Sequence, residues 1–130
     1  MHWHHALDNP QAIASLFPGV DDLSAVDLHE IVAGREGPRL QLRFDLARVP
    51  RPLPGKWDRD ANTTQVLLAA WGVEGLEWTG WGTSLPGTLT VRREGDRLQL
   101  EFSGPGCSVR FHCANLRVEG ISGYVNRPGP

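Results

Sequence analysis

Two ten-residue stretches constrain this chain more than anything else in it: REGPRLQLRF at 35–44 and REGDRLQLEF at 93–102, which agree at eight positions. In each, apolar residues alternate with charged or amide ones. Successive side chains of a strand point to opposite faces, so Leu40, Leu42, Phe44 and Leu46, and again Leu98, Leu100 and Phe102, face a core while their neighbours face water. The Glu-Gly that precedes each run reads as a tight hairpin turn, which sets the register of the strand after it. The likeness invites an internal duplication. However, GKWDRDANTTQ (55–65) has no counterpart 58 residues later, and two hairpins built independently on the same turn are the simpler reading.

Further strands are predicted at 26–33, 63–71, 73–82, 87–93, 107–114 and 116–124, about eight in all. Only DNPQAIASLFPG has helical punctuation, with Asp8 or Asn9 as N-cap, Pro10 in the first turn and Pro18-Gly19 as a stop. Ile13, Leu16 and Phe17 give that helix, near 10–17, one apolar stripe. With no second helix for a crossover, neighbouring strands must run antiparallel. The predicted fold class is therefore α+β, mainly β: a curled antiparallel sheet meander of about eight strands with one short N-terminal helix, in a single domain over residues 1–130. A chain of 130 residues is long enough to bury roughly two-thirds of its unfolded surface.

Charge and composition exclude several functions. A net charge of -2 leaves no basic footprint for nucleic acid or an anionic membrane. The longest apolar runs fall far short of the ~20 residues of a membrane span. MHWHHALDNPQ lacks the basic start and apolar core of a secretory signal, which points to the cytoplasm. Its three histidines have no further ligands at metal-binding spacing, and these first residues are expected to be mobile. Cys107 and Cys113 share one predicted strand, about 20 Å apart along it, too far for a disulfide, so both are expected as free thiols. Ser84, Ser122, His29 and His112 lack the sequence context of a nucleophile or a general base, Asp58-Arg59-Asp60 is too sparse for a metal loop, and the scattered glycines do not form a phosphate cradle. No enzyme activity and no cofactor are implied.

The aromatics are more telling. Trp71 and Trp78 lie in apolar surroundings and read as core, whereas Trp57 and Trp81 lie among polar residues and glycines. Trp57 sits in ARVPRPLPGKWDRDA (47–61), a connection longer than most and stiffened by Pro50, Pro52 and Pro54. Trp81 is expected partly buried beneath that loop, with Trp57 the more exposed of the two. A protein-binding surface is predicted around Trp57 and Trp81, ringed by Asp58, Asp60, Glu74 and Glu77, whose carboxylates would steer a basic partner. The competing readings are a carbohydrate-binding β module, which requires coplanar exposed aromatics, and a small-ligand-binding β domain with a polar cavity inside the curled sheet.

The order of NPQAIASLFPGV, LHEIVAGREGPRLQLRFDL, PLPGKW, NTTQVLL, GLEWTGWGT and RVEGISGY resembles the immunity protein 50 family of bacterial polymorphic toxin systems. Its most specific parts are Lys56-Trp57, Asn62 and Gln65, Gly80-Trp81-Gly82-Thr83 and Ile121-Ser122-Gly123-Tyr124; DRDA at 58–61 departs from the pattern. The resemblance implies a non-enzymatic cytoplasmic antidote whose partner is a cognate toxin domain. It does not fix the oligomeric state.

Overall fold

The computed structural model describes residues 2–20 and 22–127. Eight strands form one antiparallel sheet: β1 (Ala25–Gly34), β2 (Arg39–Leu46), β3 (Thr63–Trp71), β4 (Glu74–Thr79), β5 (Pro86–Glu94), β6 (Arg97–Ser103), β7 (Ser108–Cys113) and β8 (Asn115–Tyr124). The expected mainly-β class and strand count hold. The order is not a plain meander but β4-β7-β6-β5-β1-β2-β3-β8. Each half is a three-stranded meander, and the fourth strand of each half pairs with the other half. Read from the other end with β1–β4 and β5–β8 exchanged, the order is the same, and the two near-identical stretches stand at equivalent places in it, at the β1–β2 and β5–β6 turns. The long 47–62 connection corresponds to the short one between β6 and β7, which is why GKWDRDANTTQ has no counterpart in the sequence.

The exchange creates one long ribbon. Thr63 pairs with Tyr124, Trp71 with Asn115, Glu74 with His112 and Thr79 with Ser108, so β3–β4 runs antiparallel to β7–β8 in a nearly continuous register. Only Gly72-Val73 and Ala114 interrupt the strands, and there the Ala114 N–H donates to the Trp71 carbonyl at 2.8 Å. Because β3 lies next to one end of the sheet and β4 forms the other, so short a link forces the sheet to fold back on itself. The halves also pair where Ala25, Val26 and Asp27 of β1 meet Thr88, Gly87 and Pro86 of β5. Corners of this kind, made by strands that pass between packed layers, close β-sandwiches.

The fold-back gives the alternating leucines their partners. Leu40, Leu42, Phe44 and Leu46 from one half and Leu98, Leu100 and Phe102 from the other are all buried, together with Val66, Leu68, Val109 and Phe111. The predicted helix shrinks to α1 (Gln11–Ala14), continued by a hydrogen bond from the Phe17 N–H to the Ile13 carbonyl, and Ile13 and Phe17 dock on the core as the stripe requires. Asn9 does not cap it with its side chain. It clamps β8 instead, donating to the Val118 carbonyl at 2.9 Å and accepting the Val118 N–H at 3.0 Å.

The expectation of mobile first residues fails for a clear reason. A 3-10 turn, Trp3–Ala6, carries Trp3 into the core with no exposure, its indole N–H donating to the Leu23 carbonyl at 3.0 Å and its ring edge-on to Phe44. A fully buried tryptophan removes too much apolar surface from water for that segment to leave readily. Cys107 and Cys113 are free, as predicted, and both are buried; burial pushes the Cys113 thiol up to about 11 and also raises Cys107. No helix among the described residues is long and apolar enough to cross a membrane.

Candidate interaction site

The predicted surface residues fall into two groups, one on each arm of the ribbon. At the Thr63–Tyr124 tip, Trp57 is half-buried and its ring lies over Gly123 of β8. A Cβ at 123 would fall within that ring, so Gly123 is there to admit the tryptophan. Asp58 and Asp60 are exposed beside it, but Asp58 turns its carboxylate back on the loop, accepting the Asp60 N–H at 2.8 Å. Trp57 is thus the packed member of the pair predicted in the sequence, the reverse of the expectation.

The same tip gathers the other residues that carried the family resemblance. Asn62 clasps the chain beyond β8, donating to the Asn126 carbonyl at 3.0 Å and accepting its N–H at 2.8 Å. Gln65 donates to Asp45 at 3.1 Å, and the Tyr124 hydroxyl donates to the other oxygen of the same carboxylate. His29 approaches that second oxygen at 2.9 Å, and Asp27 lies 3.7 Å from the same imidazole nitrogen. Asp45 is 4% exposed and forms the centre of this polar network. Nothing in the sequence singled it out, because it occupies an outward position of β2 where a carboxylate is ordinary. Its importance arises only when β1, β3 and β8 bring His29, Gln65 and Tyr124 onto it.

Tyr124 is the only tyrosine in the chain. Burial first, then its hydrogen bond to Asp45 and the charges of Asp45 and Asp27, push its phenol up to about 12 against the lowering effect of Arg43. A group whose folded-state value is raised stabilises the fold fully below its unfolded value, here about 10, and that contribution is lost as pH rises through about 12. The phenolate absorbance of the native protein should accordingly appear well above pH 10, together with a fall in melting temperature. Ordinary titration near pH 10 with the fold intact would contradict the network.

The second group lies on β4, whose six residues are all exposed. Trp78, expected in the core, pairs with Val109 and shares the face of that buried side chain. Yet Trp78 is 47% exposed, because β4 is the last strand of the sheet and the opposite layer does not cover it. Trp81 is 49% exposed and meets Trp78 edge to face, with ring centres 5.3 Å apart, rather than packing beneath the proline-rich loop. Trp71, also expected in the core, is half-buried against Gly37. Gly80 takes a φ of +83° and lies so close to the Gly106 backbone that no side chain fits, which holds Trp81 at the tip of the arm. The Trp78 indole fastens the turn by donating to the Gly80 carbonyl at 3.0 Å. Leu76, 40% exposed, extends the patch. Glu74 and Glu77 lie alongside, facing Arg97 at 3.2 Å and Arg110 at 2.5 Å, so they are partly neutralised rather than free steering charges.

Outward chemistry is otherwise modest. His112 contacts Glu94 at 2.8 Å on an exposed face, and no cluster of histidine, cysteine and carboxylate side chains suited to a metal occurs among the described residues. Fold and site together define an antiparallel β protein with a polar node at one ribbon tip and an uncovered aromatic ridge at the other. The family model for immunity protein 50 matches residues 9–124, and the chain belongs to that family. Neither the curated proteins nor the solved structures contain a significant match to it.

Proposed function

We propose that this protein binds a cognate toxin domain in the cytoplasm of the cell that makes both, and neutralises it by non-covalent inhibition. The observation that carries the proposal, beyond family membership, is the exposed ridge of Leu76 and Trp78 on β4 and Trp81 just beyond it, left uncovered among the described residues. Exposed tryptophans held by tight backbone contacts lose little entropy on binding, and they are the residues most often found at interface hot spots. Glu74 and Glu77 form the polar rim of this contact. Trp57, Asp58 and Asp60 lie at the other tip of the ribbon, where Trp57 supports the scaffold by packing on Gly123.

The two competing readings fit the geometry less well. A sugar platform needs coplanar rings, whereas Trp78 and Trp81 meet at 70° and present a ridge. An internal ligand cavity needs space between the layers, which Phe44, Phe102, Phe111 and the leucines fill.

The test is co-expression with the toxin domain encoded beside it, together with a binding measurement on the purified pair. The protein should rescue growth and bind at nanomolar Kd or tighter, about 12 kcal/mol. Replacing Trp78 and Trp81 together by alanine should leave melting nearly unchanged and weaken binding by more than about 2 kcal/mol, roughly 30-fold. A folded double variant that binds and rescues like the parent would move the interface off β4.

A further inference from the structure

Beside the buried Asp45 lies a cavity of about 290 Å³, at the seam where β1 and β5 join the two halves. Its chemistry is lopsided. Asp27 and Asp45 are directly opposed on neighbouring strands and both line it, along with the apolar Ala25, Val26, Ala47 and Pro86. Like charges directly opposite each other destabilise a sheet, so their pairing here calls for a reason. The groups that face the pair are His29, the neutral donors Gln65 and Tyr124, and the Leu85 N–H, which donates to Asp27 at 2.9 Å. Arg43, the cation that acts on Tyr124, is directed to Glu30 at 3.5 Å and to Gln65 at 3.3 Å. After burial, which is the first cause, Asp45 and Asp27 also raise the Tyr124 phenol, more strongly than Arg43 lowers it.

We infer that this cavity receives one cationic side chain, a lysine or an arginine, presented by the toxin domain. Its head group would lie against the Asp27 carboxylate and the rim of Asp45, and its methylenes along Ala25, Ala47 and Pro86. The size fits: about 290 Å³ holds a side chain and falls below the range of most pockets for whole ligands, about 300–1,000 Å³. The location fits as well. Trp81 precedes Pro86, which lines the cavity, by five positions, so at most about 18 Å of chain separates ridge and cavity. A single interface of about 800 Å² per partner spans both. The inference rests on the toxin-binding reading and adds the charge of the residue that the toxin must supply.

Asp27→Asn is the discriminating variant, because the amide oxygen can still accept the Leu85 N–H and the fold should survive. Toxin affinity should fall about tenfold or more and become less sensitive to salt, with melting unchanged, and Asp27→Lys should fall further. A folded Asp27→Lys that binds toxin as tightly as the parent would overturn the inference while leaving toxin binding intact. The second arm needs no toxin: the parent is titrated with N-acetylarginine methylamide while backbone amide shifts are followed. Saturable shifts confined to Ala25–Asp27 and Ala47, and lost in Asp27→Asn, support a cation site even if the parent binds no toxin. If the parent binds neither the toxin nor the arginine amide, the toxin-binding reading and the cation site both fall.

Discussion

Trp3→Ala is expected to cost about 3 to 5 kcal/mol of stability, the usual range for deleting a buried tryptophan, and to leave the Leu23 carbonyl without its donor. With total stabilities of about 5 to 15 kcal/mol, the variant should lose about a third or more of a typical margin and melt well below the parent. The mechanism is a cavity against Phe44, whose face the indole edge now fills. Denaturant unfolding of the variant beside Trp81→Ala gives the comparison. The same residue type at 49% exposure should change the midpoint little. A Trp3→Ala protein as stable as the parent would show that the N-terminal turn is not part of the core in solution.

Asp45→Ala should cost about 2 kcal/mol, because it removes the one acceptor shared by Gln65, His29 and the Tyr124 hydroxyl. These donors are partly exposed, so water offsets part of the loss, and the cost stays within the range of about 1–3 kcal/mol for one unsatisfied group rather than three of them. The loss should be accompanied by a return of the Tyr124 phenol toward its ordinary value, visible in the same alkaline titration. Tyr124→Phe, which removes one donor and keeps the carboxylate, should cost only about 1 kcal/mol. The opposite outcome would also be informative. Replacement of a buried charge by an apolar residue sometimes stabilises a protein. An Asp45→Leu variant more stable than the parent would mean that the carboxylate is kept against stability, as a binding role requires.

Between them, Trp3 and Asp45 mark how far the sequence could be read. Trp3 lies among histidines at the start of the chain, outside the span matched to the family, and no periodicity surrounds it. Its burial depends on a gap in the core that only the folded sheet defines. Asp45 follows the alternation of β2 faithfully, so the pattern gave no reason to separate it from Arg43 or Gln41. Trp78 shows the complementary limit: alternation placed it correctly on the inner face, but whether an inner face is covered depends on where the strand falls in the sheet order.

By itself, the sequence determined the local quantities. Alternation in RLQLRF and RLQLEF settled strand identity and facing, the Glu-Gly turns settled two hairpins, Pro10 and Pro18-Gly19 bounded the single helical segment, and the spacing of Cys107 and Cys113 excluded a disulfide. These depend on backbone preferences and side-chain periods that span a few residues. The tertiary structure alone decided the exchange of β4 and β8 between the halves, and with it everything that depends on strand order. That exchange exposes the Trp78–Trp81 ridge at the edge, lays Trp57 on Gly123, and brings Tyr124 of β8 to an Asp45 that the β1–β2–β3 meander already surrounds with Asp27, His29 and Gln65. The physical reason is that pairing energy between antiparallel strands is nearly independent of which strands are paired. The order is therefore chosen by how the whole apolar surface can be closed, a property no short stretch of sequence contains.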